Sequence, residues 1–233
     1  CFRIGKNNYQ FLNNMNKIDE ILPVLAKMPY LTKQNLGMLF RGTEDTESYW
    51  IRRLMKGGYL ISIKKGFYAS DFYLKSINSN RQDSELFKEY LSNIILEPSY
   101  ISLEYALFLR GIIPEAVTAI TSVSTKTSRT YNTKLGSFLY KTIKPELFFG
   151  WEIKEFGEKK IKIAPLSKAL FDYFYFKKFI SRADAIDFIE SRGRFNWDVL
   201  AINDKEEFMK IVEKSGSPKM TTILKIMKKK GIV

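Results

Sequence analysis

Apolar positions along this chain recur in two rhythms, and the changes between them mark out its elements. From Lys17 to Lys27 the residues Ile18, Ile21, Leu22 and Leu25 fall three or four apart, the spacing of one helical face, and Pro29 lies beyond the end. The spacing returns in Leu36, Leu39 and Phe40, with Thr32 as a candidate N-cap. It returns again in Trp50, Ile51, Leu54 and Met55, within a helix predicted from about Asp45 to Lys56. Arg41-Gly42-Thr43 supplies the turn between these two helices. Gly57-Gly58 ends the second, because glycine enters left-handed backbone at little cost. The period then shortens to two. Tyr59 to Ile63 alternates like a strand, Lys64-Lys65-Gly66 turns the chain, and Phe67 to Ala69 returns as the partner. Helix, turn, helix and hairpin in that order predict a winged helix-turn-helix.

The polar stretch from Ser76 to Ser84 reads as a linker, which gives a DNA-binding domain over residues 1–76 and a second domain over 77–233. The second domain opens with an amphipathic helix from Ser84 to Ile95, then a short one from Ser102 to Arg110 stopped by Gly111. A β region follows: Ala116 to Ser124, Leu135 to Ile143, and a hairpin of Trp151 to Phe156 with Lys159 to Ala164. The rest is helical: Pro165 to Phe176, Ser181 to Glu190, Asp204 to Lys214, and Ser217 to Lys230 with Ser217-Pro218 as cap and first turn. The expected fold class is therefore α+β: a winged helix-turn-helix, then a mixed α/β domain whose helices flank a small, mostly antiparallel sheet, ending in helices.

Charge narrows the chemistry. A formal net charge of +13 over 233 residues favours a polyanionic partner, nucleic acid ahead of an anionic membrane surface. No apolar run approaches a membrane span, so a cytoplasmic protein is expected. The chain has one cysteine and no histidine, which leaves no disulfide, no structural zinc site of the usual ligands and no histidine-based triad. No phosphate-cradling glycine loop is present, which argues against a nucleotide-dependent enzyme. No cofactor, metal or catalytic residue is expected.

On the predicted recognition helix the apolar stripe must face the core, leaving Thr46, Tyr49, Arg52, Arg53 and Lys56 toward solvent or the major groove; the alternative is a solvated helix face with a protein-docking wing. Arg52 and Arg53 are the base-reading candidates, since a guanidinium donates two hydrogen bonds to guanine. Lys64 and Lys65, at the hairpin tip, would rest on phosphates. Lys126, Arg129, Lys134, Lys141 and Lys144 form a second basic stretch, with no acidic residue from Ala116 to Pro145. It reads either as a charged strand edge that resists aggregation or as a further surface for an acidic partner. Glu152-Ile153-Lys154 on a strand has the form of part of a Mg²⁺-dependent nuclease site. The carboxylates it would need, Glu146 or Glu115, stand in no matching motif. Lys168 and Asp172, four apart on a helix, could pair on one face as a surface pair.

Several of these segments together resemble the AbiE-type antitoxins of bacterial type IV toxin–antitoxin systems. They are Tyr100-Ile101-Ser102-Leu103-Glu104, Gly111-Ile112-Ile113-Pro114-Glu115, Thr121-Ser122-Val123, Gly136-Ser137-Phe138, Ile143-Lys144-Pro145-Glu146-Leu147-Phe148, and Ala164-Pro165-Leu166-Ser167-Lys168-Ala169-Leu170-Phe171-Asp172. The likeness spans Lys17 to about Glu190. It implies an abortive-infection antitoxin that represses its own operon by binding inverted repeats in double-stranded promoter DNA, as a monomer or weak dimer. It also implies a cognate nucleotidyltransferase toxin, countered directly or indirectly, and it draws attention to Lys168 and Asp172 as a candidate antitoxin motif. The alternatives are a ligand-sensing or dimerising repressor without a toxin, and the nuclease.

Overall fold

The computed structural model describes residues 18–40, 43–77 and 81–233. The fold is mixed α+β, with a small antiparallel sheet and a larger mixed one. Two compact units divide between Phe87 and Lys88.

In the first unit, helix α1 covers residues 18–27. Strand β1 (Tyr30–Thr32), α2 (Lys33–Phe40), α3 (Glu44–Lys56), β2 (Leu60–Lys64), β3 (Phe67–Ser70) and α4 (Asp71–Ile77) follow. The strands form an antiparallel sheet in the order β1-β3-β2. Thr32 caps α2 reciprocally: its hydroxyl accepts from the Asn35 N–H at 3.1 Å, and the Asn35 side-chain Oδ1 accepts from the Thr32 N–H at 3.1 Å. That satisfies two backbone donors which a bare helix start leaves open. Thr43 caps α3 by accepting from the Thr46 N–H. The predicted turn residues Arg41 and Gly42 and the helix-start residue Lys17 lie outside the described residues.

The apolar faces predicted for the first three helices do meet. Ile21, Leu25, Leu36, Phe40, Trp50, Ile51 and Leu54 share one core with Leu31 and Leu60 of the sheet. Phe40 and Trp50 stack with centroids 5.0 Å apart. The buried Ser70 hydroxyl donates to the Leu25 carbonyl at 2.6 Å and accepts from the Tyr73 N–H, tying α1 to the start of α4. Of the two glycines closing α3, Gly58 takes the left-handed conformation (φ 76°) and Gly57 remains helical. Gly66 is left-handed in the hairpin turn, and its carbonyl accepts from the Lys33 N–H at 2.8 Å, so the turn is tied to the start of α2.

The segment read as a linker is largely helical. Helix α4 runs to Ile77 and α5 (Arg81–Ile95) begins three residues earlier than the apolar stripe suggests; Asn78, Ser79 and Asn80 lie outside the described residues. The division between units falls within α5.

The second unit is built on a six-stranded sheet, ordered β6-β7-β5-β4-β9-β8. The strands are β4 (Ser99–Ile101), β5 (Ile120–Ser124), β6 (Arg129–Thr133), β7 (Gly136–Thr142), β8 (Glu152–Phe156) and β9 (Lys159–Ile163). The sheet is mixed, since β5 runs parallel to β7 and β4 parallel to β9, while the other neighbours are antiparallel. Strands β4 and β6 are absent from the sequence reading. The three residues of β4 are buried at the centre of the sheet, where no alternation of exposure exists to betray a strand. Helices α6 (Leu103–Leu109), α7 (Leu166–Phe176), α8 (Arg182–Asp187), α9 (Ile202–Ser215) and α10 (Pro218–Lys229) complete the unit, and α7 packs against α6, α9 and α10. Ser217 caps α10 by accepting from the Met220 N–H, with Pro218 in the first turn as the sequence predicts.

Candidate nucleic-acid interface

Helix α3 presents a charged face because its apolar stripe is consumed by the core. Trp50, Ile51 and Leu54 are buried, and Arg52, Lys56 and Tyr49 are exposed between them. The two adjacent arginines differ. Arg52 extends into solvent, steadied by a 3.2 Å hydrogen bond from its Nε to the Ser48 carbonyl one turn back. Arg53 is half-buried: its guanidinium lies 5.9 Å from the Trp50 ring centroid and donates to the Tyr49 hydroxyl at 3.2 Å. Arg52 and Lys56 therefore remain available to an anion, whereas Arg53 and Tyr49 support each other. Thr46 is half-buried and engaged at the cap, its hydroxyl 3.2 Å from that of Thr43.

At the hairpin tip Lys65 is exposed, and half-buried Lys64 holds its ammonium 5.5 Å from the Phe67 ring centroid. The exposed face of α3 and this turn belong to one compact unit, anchored to one another through α2: the Lys33 side chain pairs with Glu44 at the start of α3, and the Lys33 backbone binds Gly66. Glu44 is held below the usual carboxylate range by its hydrogen bond from Lys33 and by that lysine's charge.

The second basic stretch lies along one edge of the large sheet. Arg129 is on edge strand β6, Lys134 in the β6–β7 turn and Lys141 on β7, while Lys126 and Lys144 flank the far end of the hairpin; all five are exposed. Arg129 stands opposite Tyr140, so it projects to the face opposite that of Lys141. The stretch is thus a charged rim around an edge hairpin and not a single-faced patch.

No protein-family model matches the chain, and no curated protein matches it significantly.

Lys168 and Asp172 do pair, but in the interior. Both side chains are fully buried, with 2.6 Å between Nζ and the carboxylate, which corrects the reading of a surface pair. The lysine also donates to the Leu147 carbonyl at 3.0 Å. The carboxylate further accepts from the Ser102 hydroxyl at 2.8 Å and the Tyr100 hydroxyl at 2.9 Å. Aromatic rings enclose the ammonium, Phe171 at 4.9 Å and Phe149 at 5.1 Å from the centroids. Burial pushes the Asp172 pKa up and the Lys168 pKa down, and their attraction opposes both shifts. Gly150 lies over the lysine stem in the left-handed conformation (φ 80°), which disfavours a side chain there, although a Cβ would meet the lysine Cγ and Cδ only at an ordinary 3.7 Å. Ser102, expected to cap α6, gives its hydroxyl to Asp172 and makes no cap hydrogen bond. Tyr100 and Ser102 belong to this network, and only their alternation on a strand could have marked them; β4 is too short to display it.

Glu152 is paired with Arg110 and Glu115 with Arg194. Among the described residues no three His, Cys, Asp or Glu side chains come together as a metal site. Lys154 instead pairs with buried Glu89 at 2.7 Å, which makes it a fastening between β8 and α5. Among the described residues no helix is long and apolar enough to cross a membrane.

Proposed function

We propose that this protein is a DNA-binding autorepressor and antitoxin of the AbiE type. In this reading the first unit is a winged helix-turn-helix, α3 is the recognition helix and β2–β3 is the wing. The observation that carries it is the solvent-facing Arg52 and Lys56 on a helix whose opposite face is locked into a three-helix core, in the same compact unit as the Lys65 turn. A rigid helix with a protruding arginine and lysine suits major-groove readout, and lysine on a hairpin tip suits phosphate contact. The net charge of +13 supports the same partner.

The antitoxin half rests on the resemblance of the segments from Tyr100 to Asp172. The fully buried Lys168–Asp172 pair then acts by holding α7, β4 and the Leu147 turn together, and the surface that counters the toxin lies elsewhere on the second unit. The protein acts without catalysis or cofactor, and its partners are promoter DNA with inverted repeats and a nucleotidyltransferase toxin. A mobility-shift titration against the protein's own promoter and a scrambled duplex tests the first half, and equal affinity for both refutes it. Co-expression with the neighbouring toxin gene tests the second, and unrelieved growth arrest refutes that.

A further inference from the structure

Between the start of α8 and the first turns of α10 lies an open cavity of about 480 Å³, within the second unit. Its size falls in the range of small-molecule sites, about 300–1,000 Å³. Three cations line it, Lys178, Arg182 and Lys219, and no carboxylate does. The acids nearest in sequence are already engaged: Asp184 and Asp187 both pair with Arg192, and Asp184 also accepts from the Ile180 N–H at 2.8 Å. The two carboxylates share one arginine and leave some negative charge near Arg182, but neither is part of the cavity lining, whose charged side chains are all basic.

The cations stand on apolar material. Ala185 and Ile223 are buried in the wall, and the half-buried ring of Phe179 is backed by Phe174 and Phe188, with centroids at 6.4 and 5.7 Å. Lys219 is held in place. Its ammonium donates to the carbonyl of Tyr175 at 2.8 Å and to that of Lys177, which leaves one of its three N–H bonds for a ligand. Partial burial lowers its pKa, a cost that a bound anion would relieve. The Ser181 hydroxyl accepts from the Asp184 N–H at 3.1 Å and keeps its own proton to donate.

We infer that this cavity is a binding site for a phosphate ester carried on a planar, partly apolar body, of which a nucleoside monophosphate is the simplest form. The phosphate sits among Lys178, Arg182 and Lys219, and the planar body lies against Phe179. Nothing in this inference depends on the DNA-binding reading, which concerns the other unit.

Titration calorimetry of the full chain with adenosine 5′-monophosphate, adenosine and inorganic phosphate tests it. The monophosphate is expected to bind at least tenfold more tightly than either fragment. A Lys178→Ala/Arg182→Ala variant is expected to lose that binding more than tenfold. Both side chains are exposed, so its thermal melt should match the parent. Lack of monophosphate binding at millimolar concentration overturns the inference. So does inorganic phosphate binding as well as the nucleotide, or unchanged affinity in the variant. A 5′-phosphorylated trinucleotide, run beside the mononucleotide, separates the two sources of this chemistry: tighter binding of the trinucleotide, lost in the variant, assigns a strand end, and the reverse order assigns a free nucleotide. Promoter mobility shifts of the same variant should be unchanged, which keeps this test separate from that of the repressor.

Discussion

Replacing Asp172 with alanine isolates the energetics of the second unit's polar centre. The carboxylate accepts three hydrogen bonds, from Lys168, Ser102 and Tyr100, and is fully buried. Its removal strands a buried ammonium whose remaining acceptor is the Leu147 carbonyl. Breaking a buried ion pair from one side costs about 3–5 kcal/mol, chiefly because the remaining charge stays desolvated. The two hydroxyls that lose their acceptor each add on the order of 1 kcal/mol, less whatever water entering the new space recovers. A loss of about 5 kcal/mol is comparable to the whole stability of many domains and corresponds to a fall in Tm of roughly 10–20 °C. Urea unfolding followed by tryptophan fluorescence measures it, because Trp151 stacks on Tyr100 at 5.3 Å and reports on this centre. The companion variant Lys168→Met/Asp172→Leu removes both charges and should recover most of the loss, since an apolar replacement of the pair leaves no stranded ion. A loss below about 1.5 kcal/mol for Asp172→Ala, or a double variant no better than the single, would refute the reasoning.

The remaining predictions concern the helix face, the alkaline limb and a polar tie in the first unit. Arg52→Ala should weaken promoter binding by about 1–3 kcal/mol and relax its specificity without lowering Tm. Arg53→Ala should lower Tm as well, because that guanidinium packs on Trp50 and binds Tyr49; mobility shifts and melts on the same samples separate the two. Burial, and secondarily the charge of Glu104, pushes the Tyr173 pKa up to about 12, and burial drives Tyr100 and Tyr140 further up. These phenols are raised in the fold, so their contribution is complete below pH 10 and is lost as the pH climbs through 10 toward 12, where the unfolded chain ionises first. Absorbance at 295 nm should therefore show their ionisation only together with unfolding. Ser70→Ala removes a buried donor to the Leu25 carbonyl and the acceptor for the Tyr73 N–H, and should cost about 1–3 kcal/mol in a chemical denaturation curve.

Local physics was legible in the sequence wherever one element decides its own fate. The three N-terminal helices, the hairpin turned by Gly66, the β8–β9 hairpin and the Ser217-Pro218 start of α10 follow from periodicity, capping and backbone freedom, which act over a few residues. The exposed face of α3 follows only in part: Tyr49, Arg52 and Lys56 are outside as the stripe requires, whereas Thr46 and Arg53 are half-buried and Met55, counted in the stripe, is exposed. Tertiary structure alone decided the rest. Strand β4 is buried on all sides and three residues long, so its pattern carries no period. The parallel pairing of β5 with β7 depends on residues far apart in the chain. Lys168 and Asp172 read as a surface pair because a four-residue spacing says nothing about which way a helix faces; aromatic rings and the Ser102 and Tyr100 hydroxyls from β4 and its end enclose them. Burial is a property of the whole packing, and the sign of a charge's contribution to stability changes with it.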